Sequence, residues 1–135
     1  MIGEMIGELK GKVTGTRILS PHVATPKIET SQTQAGKILG LDTMDMTTYW
    51  TVMQPNGMMY GEGNGVIMSK SGDMAMYKAS GVGKMTGKGS GVSFRGILYF
   101  QTMSQKWAAL NSSSFVYEYD TDENGNTGVK IWAWK

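Results

Sequence analysis

Glu62 is the carboxylate best placed for proton transfer. It stands in the stretch MMYGEGNGV. On a strand, Tyr60, Glu62, Asn64 and Val66 share one face, and Gly61, Gly63 and Gly65 share the other. If the first face lines an interior, Glu62 sits among apolar groups with a raised pKa. It can then act as a general acid or base near neutrality, with Tyr60 and Asn64 positioning a substrate. The alternative is that the glycine face points inward and Glu62 is solvated. Arg95 is either a clamp for a ligand carboxylate or a surface arginine beside Tyr99 and Gln101. Met44, Met46 and Trp50 share a face of MDMTTYWTVMQ. Flexible thioethers there either fill a core or line an adaptable apolar pocket for a ligand.

Other chemistries lack their residues. The chain has no cysteine and one histidine, His22, so a zinc site built on His and Cys is excluded and no metal site is expected. The M-x-M pairs Met44/Met46 and Met74/Met76 carry thioethers that suit Cu(I), but no histidine or cysteine accompanies them. The stretch GVGKMTGKGSG, residues 81–91, suggests a phosphate loop. Its Gly87-Lys88 pair would need a glycine where Val82 stands and a hydroxyl where Gly89 stands. A dinucleotide fingerprint fails at Thr86, and VSFRGILYF, not a helical pattern, follows. No serine has the context of a nucleophile elbow. No cofactor is expected.

These residues must be positioned by strands. Alternation runs through nearly the whole chain, and no helical period lasts more than about two turns. In VSFRGILYFQT one face carries Val92, Phe94, Gly96, Leu98, Phe100 and Thr102. Strands are predicted over 7–19, 26–34, 37–54, 58–69, 73–85, 90–103, 113–121 and 127–135. Asn56-Gly57, Ser71-Gly72 and Asn124-Gly125 are candidate two-residue type I′ turns. A short helix is predicted at 104–111, with Ser104 as N-cap and Asn111 as a left-handed stop. Eight antiparallel strands joined mostly by hairpins give an all-β, up-and-down barrel over a single domain, residues 1–135. Ten of the 19 glycines lie between Gly61 and Gly96, where they let the sheet coil or let another group approach closely.

Composition is globular, at 40% hydrophobic and 18% charged residues. A net charge of +2 argues against nucleic acid as the partner, although Trp50, Trp107, Trp132 and Trp134 could stack on bases. Core packing or an interface is the plainer use of these rings. The start MIGEMIGELKGKV does not read as a signal peptide, and no run is long enough to span a membrane as a helix. A cytoplasmic protein is expected. Glu118 is expected to pair across strands with Lys130 or Arg95.

From Tyr60 to Thr102 the chain resembles the small, calycin-like barrels of the allene oxide cyclase and dirigent type. GEGNGVIMSKSGDMAMY is a hairpin with a G-x-G strand, and GKGSGVSFRGILYFQT is a glycine-rich turn feeding an R-G strand that ends in threonine. The resemblance covers about a third of the chain and lacks those families' catalytic and phenoxy-binding signatures. It implies the eight-stranded architecture and a homo-oligomer. The function expected is binding of a small, largely apolar ligand inside the barrel. The alternatives are an isomerase or cyclase acting in the same cavity, and a structural protein with a filled core.

Overall fold

The computed structural model describes residues 2–135. Eight strands run in chain order: β1 (Ile2–Ser20), β2 (Lys27–Ile38), β3 (Leu41–Met53), β4 (Met59–Ser69), β5 (Met74–Met85), β6 (Val92–Thr102), β7 (Ser114–Thr121) and β8 (Asn126–Trp134). Each pairs antiparallel with the next, and β8 pairs with β1, so the sheet closes without an edge. The predicted fold class is the observed one.

The hairpins show how local chemistry fixed this path. Asn56-Gly57, Ser71-Gly72 and Asn124-Gly125 do not form type I′ turns. A I′ turn needs positive φ at both central residues. Here only the glycine of each pair is left-handed, with φ of 84°, 92° and 79°. Each loop spans three residues, closed by backbone bonds such as Ser69 N to Asp73 O (2.9 Å) and Gly72 N to Ser69 O (3.1 Å). The extra residue before each glycine makes it a tight turn followed by a left-handed step.

A true two-residue turn lies where none was predicted. Leu39 and Gly40 both take positive φ, 50° and 79°, and join β2 to β3. β2 therefore runs to Ile38, four residues beyond its predicted end. A leucine is an unusual residue in this conformation, and its apolar side chain disguised the turn as strand.

Residues 81–91 form the end of β5 and the hairpin into β6. Thr86 N bonds Gly91 O (3.0 Å), and Gly87 and Gly89 take φ of 87° and 57°. They bend the chain back into a strand; no helix follows to present its N-terminus to a phosphate.

The connection from β6 to β7 folds across one end of the barrel. Its helical part is a single 3-10 turn, Ala108–Ser112, shorter than predicted. Ser104 is not its cap: the Ser104 hydroxyl donates to Asp73 Oδ1 (2.5 Å) and ties the segment to the β4–β5 turn. Asn111 does not take the left-handed stop. Its amide instead closes a two-way pair with the backbone of Thr102, accepting from N (2.8 Å) and donating to O (2.9 Å). So anchored, the segment drops Trp107 and Leu110, both fully buried, into the core. Trp107 Nε1 donates to Ile38 O (3.2 Å).

Candidate functional site

The parity of β4 decides what the barrel contains. Gly61, Gly63 and Gly65 point inward, and Tyr60, Glu62, Asn64 and Val66 point outward. The same holds for β5, where Gly81 and Gly83 face in. The room these glycines leave is taken by rings from neighbouring strands. A β-carbon on Gly63 would lie 2.5 Å from Tyr49 Cβ, and one on Gly65 would lie 2.6 Å from the Tyr77 ring. At Gly81 it would meet Tyr117 Oη at 2.5 Å, and at Gly83 the Phe94 ring at 2.7 Å. The glycine face is thus the bed of an aromatic cluster.

Tyr49, Tyr77, Tyr117 and Tyr119 border an interior cavity of about 70 Å³, walled by Leu9, Ile38, Ile67, Ala79, Phe94, Leu98, Phe100, Val129 and Ile131. Tyr49 and Tyr119 meet edge to face, with centroids 5.6 Å apart. Two hydrogen-bond networks run beside the cavity. In the first, Tyr119 Oη donates to Gln32 Oε1, and Tyr49 Oη lies 3.1 Å from Tyr119 Oη. In the second, the buried carboxylate of Asp45 accepts from Tyr77 Oη (2.7 Å), Thr47 Oγ1 (2.7 Å) and Gln34 Nε2 (3.2 Å). Thr47 and Tyr77 also touch each other, and Thr127 Oγ1 donates to Gln34 Oε1 (3.0 Å). Tyr117 Oη belongs to neither network.

Burial controls the ionisation of these groups. Asp45 is raised above the ordinary aspartate value because desolvation outweighs its three hydrogen bonds. Burial, and then the Asp45 charge, lift Tyr77 well above a free phenol. Tyr117 is pushed up to about 12, again chiefly by burial, and Tyr49 and Tyr119 rise for the same first reason. At neutral pH all four phenols therefore keep their protons and act as neutral donors. Among the described residues no group of three or more His, Cys, Asp or Glu side chains could hold a metal ion.

The residues singled out from the sequence lie on the outer surface of the barrel. Glu62 stands between two glycines that border the cavity, but it is exposed and its carboxylate accepts a hydrogen bond from Tyr60 Oη (2.7 Å). That contact is the first cause of a raised Tyr60 pKa. Asn64 is exposed, as are Met44 and Met46. Trp50 packs on Tyr60 outside the barrel, ring centroids 5.8 Å apart, with Lys27 Nζ 4.2 Å above its ring. Arg95 faces solvent and spans Glu118 (3.7 Å) and Asp120 (3.5 Å), so the expected pairing of Glu118 is with Arg95. Of the seven, Tyr60, Glu62 and Trp50 meet on the outer face, Trp50 lying directly across from Glu62, and Met44 and Met46 share the outer face of β3; Asn64 and Arg95 stand apart from these groups. The interior residues Asp45, Tyr49, Tyr77, Tyr117 and Tyr119 were not anticipated.

No family model matches the sequence, and no curated protein matches it. Solved structures do resemble it. A protein of unknown function from Clostridium acetobutylicum superposes with a TM-score of 0.83 at 12% identity, over 98% of each chain. A β-barrel-like protein from Acinetobacter baumannii gives 0.81 at 10% identity, over 100% of this chain and 96% of the other. The chain shares their barrel. An enzyme from Penicillium herquei is similar at a TM-score of 0.65 and 13% identity, over 98% of this chain and 96% of its own. At such identities the likeness is one of fold. Among the described residues no helix is long and apolar enough to cross a membrane.

Proposed function

We propose that the barrel binds a small, largely apolar ligand in its interior. The observation that carries this reading is the apolar cavity bordered by four neutral tyrosines, with Tyr117 Oη outside both interior networks. Apolar walls with a few convergent polar groups are the usual make-up of a small-molecule site. The volume limits the guest. A cavity of about 150 Å³ accommodates benzene, and this one is about half that. Either the guest is only a few heavy atoms across, or the apolar end of a longer molecule enters while Phe94 and the tyrosines shift. Tyr117 is placed to hydrogen-bond a single oxygen or nitrogen on it.

Native mass spectrometry of the purified protein tests this. The expected result is a bound mass of low molecular weight that disappears on denaturation. Ala79→Leu, which adds bulk at the cavity wall, should lose it while remaining folded. A protein that carries no adduct, and gains none from a panel of small aromatic and short-chain compounds, would contradict the proposal and favour a filled structural barrel.

The second reading, an isomerase or cyclase, rests on Asp45 and Tyr77. With Asp45 protonated, the form its burial favours, the carboxyl can donate to Tyr77 Oη while Tyr77 gives its own proton to a guest; the guest gains one proton, Tyr77 is reprotonated by Asp45, and Asp45 is left ionised until solvent restores its proton. The Penicillium herquei enzyme is built on a similar barrel, which favours this reading only by analogy. Tyr77→Phe distinguishes the two readings: it abolishes turnover of any substrate found and leaves guest binding in place.

A further inference from the structure

The methionines lie on the outside, and they lie together. In the register of the sheet, Met46 of β3 faces Val66 of β4, which faces Met76 of β5. The next outward row is Met44, Met68 and Met74. β2 extends these rows with Thr33 and Ala35, and β6 extends the first with Gln101. Met103, fully exposed, follows the end of β6. Neither row contains a charged residue. Met44, Met46, Met74 and Met76 each keep more than half of their surface exposed, and Val66 and Met68 more than a third.

A soluble monomer rarely exposes so large an apolar patch. With Met103 the exposed methionine and valine surface is on the order of 700 Å², close to the roughly 800 Å² that each partner gives to a standard interface. The surface is not simply convex. A shallow trough runs along the first row and the polar row beside it, lined by Met46, Val66 and Met76 and by Asn64, Lys78 and Tyr99, with Met103 at its end.

We infer that this face joins two copies of the chain, β3–β5 against β3–β5. The patch is self-complementary in the way a two-fold interface requires. A two-fold axis along β4 lays the β3 methionines of one copy over the β5 methionines of the other. Rows match because each carries one methionine on either flank. The two rows carry no charge, Lys78 and the β1 lysines Lys10 and Lys12 lie at the rim where their ammonium groups can stay in water, and methionine's flexible thioether lets the two layers interdigitate. The inference is independent of what the interior binds.

Sedimentation velocity over a wide concentration range tests it, with Met46→Glu/Met76→Glu as the disrupting variant and Ile18→Glu, also exposed but off this face, as the control. The wild type and the control should sediment at twice the chain's mass at high concentration. The double variant should remain at the monomer mass, with a dissociation constant raised at least a hundredfold. Its unchanged circular dichroism would show that the fold is intact. In a sample mixing methyl-labelled and unlabelled chains, intermolecular contacts should connect Met46 and Met76. A wild type that is monomeric at every concentration overturns the inference, and so does a dimer that persists in the double variant.

Discussion

Replacing Trp107 by alanine is expected to cost about 3–5 kcal/mol, the range for truncating a fully buried large aromatic residue. The side chain has no exposed surface and closes one end of the barrel beside Ile38 and Leu110. Its loss also removes the Nε1 donor from Ile38 O, next to the Leu39-Gly40 turn where strain already sits. Urea unfolding followed by tyrosine fluorescence measures the change. The melting temperature should fall by roughly 6–20 °C, at about 2–4 °C per kcal/mol for a chain near this size. Trp107→Phe retains most of the volume and should cost far less. Equal costs for the two would mean that the hydrogen bond, not the plug, matters.

The second large effect is expected at Tyr77 and Asp45. Tyr77→Phe removes a donor from a buried carboxylate, a loss of about 1–3 kcal/mol at neutral pH. The pH dependence identifies the cause. Asp45 is raised in the folded state relative to its unfolded value of 3.8. Its contribution to stability is therefore fully present below pH 3.8 and is lost as pH rises through the folded-state pKa, because folding then opposes ionisation. Asp42, Asp73 and Asp122 are lowered, first by the hydrogen bonds from Lys37, Ser104 and Asn126 respectively, and they act in the opposite sense, losing stability as pH falls below the unfolded value. The comparison of wild type with Asp45→Asn isolates the Asp45 part. The stability of the wild type relative to Asp45→Asn should decline with rising pH and then level off. In Tyr77→Phe the decline should extend to higher pH, since the lost hydrogen bond had been lowering the Asp45 pKa. A difference that is flat with pH would show that Asp45 is not perturbed by burial.

The barrel was legible because its signals are local. Period-2 alternation and the glycines of the hairpins placed β4 to β8 within two residues at either end, while β1 starts five residues earlier than predicted. Leu39 hid the remaining turn by taking a conformation that leucine seldom adopts. The site was not legible, because on β2 and β3 the polarity of the two faces is inverted. Sequence reasoning takes the apolar face as the core, yet here Gln32, Gln34, Asp45 and Thr47 face in while Met44 and Met46 face out. A polar interior is affordable only because each group finds a partner around the closed barrel, as Thr127 does with Gln34 and Tyr119 with Gln32. Such pairing across the interior leaves no trace in a single strand. One signal was available: Gly61, Gly63 and Gly65 clear space on one face only, and Tyr49, Tyr77 and Tyr117 are rings large enough to need it. On β6, where Phe94, Leu98 and Phe100 share a face, the ordinary rule held and the predicted apolar face is the inner one.

Methyl NMR tests interior binding most directly. With Ile and Leu methyls labelled, short-chain alcohols, which suit the cavity as it stands, and then a small phenol, which needs Phe94 and the tyrosines to shift, are titrated into the protein. Ile38, Ile67, Leu98 and Ile131, which wall the cavity, should shift together and saturate, while the exposed Ile18 and Leu19 stay in place. The shifts should vanish in Ala79→Leu. Saturable shifts confined to the outer methyls, or unchanged interior methyls at the solubility limit of every probe tried, would contradict a barrel that binds its ligand inside.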